Sequence, residues 1–233
     1  HGLILNGKPV KIKGVCNHQD FAGVGVAMPD RLNEWRVRKM KQLGANAWRN
    51  SHNAVNPELL RFFDRIGMLV WAETRNFGNL QELKELLVRD RNHPSIIIWS
   101  LCNEVECQQA AGDPSALAIA QSMAKTIKEY DTTRPISAAF NAESDDLVSG
   151  WGPKVLDLQG INYHNHNYDI FHDKFPTVPL IASETGCCMQ ARGVYLSDPT
   201  VAHMGIFESS TLTWSCDSVS YTHLAGDSQM TLP

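Results

Sequence analysis

The sequence predicts an α/β fold, a (β/α)8 TIM barrel without its eighth strand. Three observations carry this. Short runs of β-branched and apolar residues alternate with segments of helical period. The strand runs are nearly continuous in apolar residues, as in a parallel sheet covered on both faces. Nearly every run ends in groups able to bind or react: Asn17-His18, Arg49 to His52, Glu73, Asn103-Glu104, Asn162-Tyr163 and Ser183-Glu184. An open doubly wound sheet gathers such groups at one switch point. A barrel draws them from the C-terminal ends of several strands, and the spread favours the barrel.

Taken in order, the first strand is expected over residues 11–17. The first helix, 30–43, opens on Asp30 and stops at Gly44. A second strand over 45–51 leads to a helix over 57–66, which has Pro57 in its first turn and Gly67 behind it. Both helices follow the Pro-in, Gly-out asymmetry. Strands over 68–74, 95–103, 135–140, 156–163 and 180–184 follow, with helices over 80–90 and 115–130 between them. The links at 141–155 and 164–178 are less regular and take short helices. Seven strands joined by helical crossovers run parallel.

Composition removes several function classes. The chain has 233 residues, 43% hydrophobic and 20% charged, which is ordinary globular make-up. The net charge is −4 and the Lys and Arg residues are scattered, which argues against a nucleic-acid partner. Apolar runs such as Ile96-Ile97-Ile98-Trp99 fall far short of the roughly 20 residues of a membrane helix. No phosphate-cradling glycine motif is present, and no cofactor is expected. The six cysteines (Cys16, Cys102, Cys107, Cys187, Cys188 and Cys216) form no C-x-x-C pair. They read as reduced thiols, which leans toward a reducing compartment without deciding between cytoplasm and periplasm.

The ends read as those of a partial protein. The chain opens at His1 directly into Leu3-Ile4-Leu5-Asn6-Gly7-Lys8-Pro9-Val10, as if upstream domains preceded it. The segment Ser218-Val219-Ser220-Tyr221-Thr222-His223-Leu224 resembles a translated sequencing-library adapter. Residues 1–217 are therefore taken as a partial barrel domain and 218–233 as a non-native tail, with a native polar loop as the alternative. Without strand eight, the first and seventh strands become open edges, so a fragment of this extent is expected to be poorly soluble and inactive by itself.

Two carboxylates carry the chemistry. Glu104 ends the apolar run 96–101, and Glu184 ends Leu180-Ile181-Ala182. A carboxylate at the mouth of a buried strand costs desolvation, and a facing pair is the equipment of glycoside hydrolysis. In the retaining version one is the nucleophile and the other protonates the leaving oxygen, at a separation of about 5–5.5 Å. The fourth and seventh barrel strands face each other across the mouth, which suits that distance. The acid needs a raised pKa, and Arg49 is placed to keep the nucleophile ionised. The plainer alternative makes each Glu a salt-bridge or loop carboxylate.

The run Arg89-Asp90-Arg91-Asn92-His93-Pro94-Ser95-Ile96-Ile97-Ile98-Trp99-Ser100-Leu101-Cys102-Asn103-Glu104 resembles the acid/base signature of family 2 glycoside hydrolases, which include β-galactosidases, β-glucuronidases and β-mannosidases. Asn6-Gly7-Lys8-Pro9-Val10 with Lys13-Gly14-Val15 resembles the family's entry into barrel strand one. Arg49-Asn50-Ser51-His52-Asn53 resembles its strand-two motif, and Ala182-Ser183-Glu184-Thr185-Gly186 its nucleophile segment. The likeness runs from about residue 2 to about residue 195. Within the family, His18-Gln19-Asp20 and the following segment through Arg31 look most like bacterial β-galactosidase-type members.

The resemblance implies that Glu104 is the acid/base and Glu184 the nucleophile. It also implies that Asn103 bonds the sugar 2-hydroxyl and Tyr163 bonds the nucleophile. Arg49 would keep Glu184 charged, and His18 and His52 would contact the sugar. The implied activity is a retaining exo-β-glycosidase on terminal β-D-galactosides. Alternatives are a β-glucuronidase, a β-mannosidase, or a silent carbohydrate-binding barrel. The partner is an oligosaccharide or simple glycoside, and a homo-oligomeric parent enzyme is compatible with the sequence.

Departures from the family pattern are Cys102 in place of the usual Gly, Ala54-Val55 in place of a proline-rich turn, and Trp71-Ala72-Glu73-Thr74 without the magnesium-ligand pair of some members. No metal is expected. His164 and His166 read as a loop pair meeting solvent or sugar rather than as metal ligands. Trp35, Trp48 and Trp99 read as core, and Trp151 as either a sugar platform or a loop cap. The run 36–41 reads as a solvated helix face, Glu106 as an exposed loop charge, and Glu73 as a binding aid or a salt-bridge partner of Arg49 or Arg75.

Overall fold

A hairpin precedes the main sheet. Strand β1 (Leu3–Leu5) pairs antiparallel with β2 (Lys8–Val10). Asn6 and Gly7 join them with φ of 51° and 76°, the left-handed pair a tight hairpin turn requires. These two strands were not among the expected elements, although Asn-Gly between apolar residues is the signal for them. The computed structural model describes residues 2–21, 23–104, 107 and 114–185.

Seven strands then form one parallel sheet in sequential order. They are β3 (Gly14–Asn17), β4 (Ala47–Asn50), β5 (Leu69–Glu73), β6 (Ile96–Asn103), β7 (Ile136–Phe140), β8 (Leu158–Asn162) and β9 (Leu180–Glu184). The order matches the expected barrel with one strand wanting. The two ends of the sheet approach each other: Cys16 Sγ on β3 lies 3.3 Å from the Ser183 carbonyl oxygen on β9. Among the described residues no strand lies between them. The first barrel strand starts three residues later than expected. Lys13 N–H and the Lys11 carbonyl bond the side chain of Asn46 at 2.7 and 2.8 Å instead of entering the ladder.

The helices are α1 (Asp30–Gln42), α2 (Pro57–Ile66), α3 (Leu80–Asp90), α4 (Pro114–Tyr130), α5 (Ser144–Ser149), α6 (Gly152–Val155) and α7 (Asn167–Lys174). Their ends follow from local chemistry. Asn56 Oδ1 accepts from Glu58 N at 2.8 Å at the start of α2, and Gly67 closes it at φ 77°. Asn79 caps α3 in the same way through Glu82 N. Leu59, Leu60 and Phe63 of α2 are buried, with the Phe63 ring 5.1 Å from that of Trp48 on β4. Each such side chain contributes about 1.5–3 kcal/mol by leaving water. The short helices expected in the links 141–155 and 164–178 are α5, α6 and α7.

Several side-chain expectations are corrected. Cys102 and Cys107 form a disulfide, so they are not free thiols, and the argument for a reducing compartment falls with them. Their Cα atoms are 5.9 Å apart because the chain turns at Glu104 between them. The run 36–41 is a solvated face only in part, at Arg38 and Lys39. Arg36 and Val37 are buried, with Arg36 donating to Asn17 Oδ1 and the His18 carbonyl at 3.2 and 2.7 Å. Trp35 is 43% exposed, its ring edge against Phe21, rather than core. Trp48 and Trp99 are core as expected. The expectations for Cys187, Cys188, Cys216, Glu106, the stretch 186–195 and the 217/218 boundary fall outside the described residues.

Candidate active site

At the C-terminal mouth of the barrel the polar strand ends converge on one guanidinium. Arg49, the third residue of β4, is buried beneath the mouth. Its Nη1 donates to Glu184 Oε1 at 2.5 Å, and its Nη2 to Glu73 Oε2 at 2.9 Å and Asn103 Oδ1 at 2.7 Å. The indole of Trp71 lies 5.3 Å below it. One side chain thus ties together the ends of β4, β5, β6 and β9.

Glu73 is fully buried. Burial pushes its carboxyl up, but Arg49, His52 and Ser100 outweigh that and hold it below the usual carboxylate range. Ser100 Oγ donates to it at 2.8 Å, and His52 Nδ1 lies 2.7 Å from its other oxygen. Of the two readings of Glu73, the structure bears out the salt bridge, and with Arg49. Glu184 keeps two partners of its own: Arg49 on Oε1, and the Tyr163 hydroxyl, which donates to Oε2 at 2.5 Å.

Glu104 sits in different surroundings. It follows β6 in the left-handed region, φ 48°, with its N–H bonded to the Ala139 carbonyl at 2.8 Å. Asn162 Nδ2 donates to its Oε1 at 2.8 Å, and Ser183 Oγ in turn holds Asn162 Oδ1 at 2.6 Å. Burial, with the neighbouring Glu184 charge, raises the Glu104 pKa against the opposing Asn162 hydrogen bond. Tyr163 also has positive φ, 60°. Two non-glycine residues in this costly backbone region, both at the mouth, are the kind of local strain that functional sites hold.

The structure therefore brings together Glu104, Glu184, Asn103, Arg49, His52 and Tyr163. His18 joins from β3's end, its ring edge-on to His52 at 5.3 Å; burial, then His52, lowers its pKa and favours the neutral imidazole. Asn162 and Ser183 stand among the polar strand ends of the sequence without an assigned role, whereas Ser100, the fifth of the eight residues of β6, carries no strand-end signal. Trp151 is buried against Phe77 and Phe140, with Nε1 donating to the Cys107 carbonyl at 3.1 Å. It caps a loop and is no sugar platform. His164 and His166 lie on the same rim with their rings 5.6 Å apart, and both face the Glu143 carboxylate. Among the described residues this trio is the one group of His, Cys, Asp and Glu whose ligand atoms lie close enough to hold a metal ion.

Comparison with known proteins gives these residues a context. The profile of the TIM barrel domain of family 2 glycosyl hydrolases matches residues 1–79 and 77–205. A β-galactosidase of Bacteroides ovatus is 31% identical over 238 aligned positions, covering 83% of this chain and 28% of that enzyme. A putative β-glucuronidase of Formosa agariphila is 32% identical, covering 83% of this chain and 18% of its own length. The solved structure of a Bacteroides uniformis β-glucuronidase, covalently bound to cyclophellitol-6-carboxylate aziridine, superposes with a TM-score of 0.68 at 31% identity. That match covers 79% of this chain and 26% of the other. The chain thus spans less than a third of the length of each of these relatives.

Proposed function

The chain belongs to glycosyl hydrolase family 2, and from that premise we propose that its parent protein is a retaining exo-β-glycosidase acting on terminal β-D-galactosides. The observation that carries this is the contrast between two neighbouring carboxylates. Glu184 is ion-paired and hydrogen-bonded on both oxygens, while Glu104 is pushed toward its protonated form. Those are the two states a retaining glycosidase needs in its resting site.

In the first step the Glu104 carboxylic acid gives its proton to the glycosidic oxygen. A Glu184 oxygen attacks C1 from the opposite face, the C1–O bond breaks and the aglycone leaves as an alcohol. In the second, the Glu104 carboxylate takes a proton from water. The water oxygen bonds C1, and the Glu184–sugar bond breaks to regenerate the carboxylate. Asn103 has its carbonyl oxygen held by Arg49 and Asn162, which leaves its NH2 group for the sugar 2-hydroxyl. Tyr163 and Arg49 hold Glu184 in line. The covalent adduct named for the Bacteroides uniformis relative supports the covalent step.

β-Galactoside specificity rests on the Bacteroides ovatus relative and on the segment 18–31. The second reading, β-glucuronidase, is favoured by the names of the other two relatives. The deciding experiment assays the full-length protein carrying this chain on aryl β-galactoside, β-glucuronide and β-mannoside, with Glu184→Gln as control. Galactoside cleavage lost in the variant is the expected result. Cleavage of glucuronide or mannoside alone would replace the sugar and keep the mechanism. Sugar binding without cleavage of any would leave a silent barrel.

A further inference from the structure

The rim trio outside the proposed catalytic pair has the geometry of a metal site. Glu143 follows β7, and His164 and His166 follow β8, so two neighbouring strand ends bring them together. His164 Nδ1 lies 3.5 Å from Glu143 Oε1, and His166 Nε2 lies 3.4 Å from Glu143 Oε2. All three ligand atoms lie within 4.8 Å of one another. A tetrahedral ion with bonds of roughly 2.0–2.1 Å places its ligand atoms about 3.3–3.4 Å apart. The two histidine–carboxylate distances already stand near that spacing.

A second observation concerns the other side of the His164 ring. Its Nε2 is 2.7 Å from Asn141 Oδ1. An amide oxygen only accepts, so Nε2 carries a hydrogen and Nδ1 is left to the carboxylate side. There it stands 3.5 Å from Glu143 Oε1, a gap that a proton on Nδ1 or a metal ion held between the two can fill. An imidazole whose second nitrogen donates to a fixed carbonyl oxygen is also how proteins orient metal-ligating histidines.

We infer that Glu143, His164 and His166 bind a divalent transition-metal ion of the zinc type, at a site on the β7–β8 rim separate from Glu104 and Glu184. Two imidazoles and one carboxylate suit Zn2+ and its neighbours better than Mg2+ or Ca2+, which take oxygen ligands. With three protein ligands, a fourth position stays open for water or a hydroxyl group of a bound molecule. Asn141 is the positioning residue. This departs from the sequence reading, which took the two histidines as a loop pair and expected no metal.

The test is calorimetric titration of Zn2+ into the EDTA-treated full-length protein carrying this chain. One ion per chain is expected, bound at least about 100-fold more weakly after His166→Ala or Glu143→Ala. Asn141→Ala, which keeps all three ligands, should weaken binding by about 10–100-fold. His172→Ala, an exposed histidine on α7, should change nothing. Glu143 and His166 are largely exposed, and matched melting curves of the metal-free forms check that the variants fold. X-ray absorption of the zinc-loaded wild type needs no variant and should show two imidazoles. Absence of binding to the wild type, unchanged affinity in His166→Ala and Glu143→Ala, or sulfur in the inner coordination shell would each overturn the site.

Discussion

On the β4, β5 and β9 side of the mouth, Glu73 and Glu184 share the guanidinium of Arg49; on the β6 and β8 side, Glu104 meets the neutral amide of Asn162. Both sides bury carboxylates, and the consequences are opposite. Arg49, His52 and Ser100 more than offset the burial of Glu73, whose pKa falls. An amide hydrogen bond does not offset the burial of Glu104 beside Glu184, and its pKa rises. The same residue type becomes a fixed anion or a proton donor according to whether a cation lies within reach. The sequence places all three at strand ends and does not distinguish them.

The largest expected effect falls on the anionic side. Glu184→Gln should lower kcat on an activated aryl β-galactoside by about 10⁴–10⁶-fold, the scale of losing a nucleophile. Mass spectrometry should find no glycosyl adduct. A variant that retained a tenth of the activity would place the nucleophile elsewhere.

Arg49→Met tests the anionic side as structure rather than chemistry. It leaves Glu73 and Glu184 buried without their cation, which should cost about 3–5 kcal/mol. Thermal melting against the parent protein reads the loss. A change below about 1 kcal/mol would mean that water, not Arg49, satisfies these groups.

Glu104→Ala probes the neutral side. General acid–base help is worth about 10²–10⁴-fold, so alkyl galactosides with poor leaving groups should slow by that factor. Aryl galactosides that need no protonation should form the covalent intermediate nearly as fast as in the wild type. Equal losses for both substrate types would count against the acid role.

The smallest effect sharpens the comparison through pH. Because the folded-state pKa of Glu104 is raised, the native state holds that proton more tightly than the unfolded chain. Its ionisation therefore removes stability as pH rises through the folded pKa. Glu73 has the reverse sign: its lowered pKa contributes stability above the ordinary Glu range, lost as pH falls through the folded value. Glu104→Gln should accordingly stabilise the protein at pH 7–8 by about 0.5–2 kcal/mol. It should leave stability unchanged at acid pH, where Glu104 is already protonated. A gain of equal size at both pH values would show that packing, not charge, is responsible.

Much of this was legible in the chain itself. Helices α2 and α3 lie at the expected residues because Asn56, Pro57, Gly67 and Asn79 act within one turn of where they stand. Strand β9 also has the expected limits, since Pro179 precedes Leu180-Ile181-Ala182 and the polar Ser183-Glu184 end it. Six of the seven expected site residues, all but His18, lie in the network around Arg49, because a barrel presents its strand ends on one face. Arg36 misled because a charge on a helix is usually solvated. Its partners Asn17 and His18 lie on another element, and nothing in the helix's own period announces them.

The alternation of strands and helices, their order, and the polar residues that punctuate the strand ends are all written in the chain. These depend on period, caps and turns, whose physics acts over a few residues. Folding in three dimensions settles which carboxylate meets the cation, that Cys102 bridges to Cys107, and that His164 and His166 both face Glu143. Arg49 reaches Glu184 across 135 positions of chain. Charge state and coordination are set by neighbours in space, through burial and distance, and no local pattern encodes those.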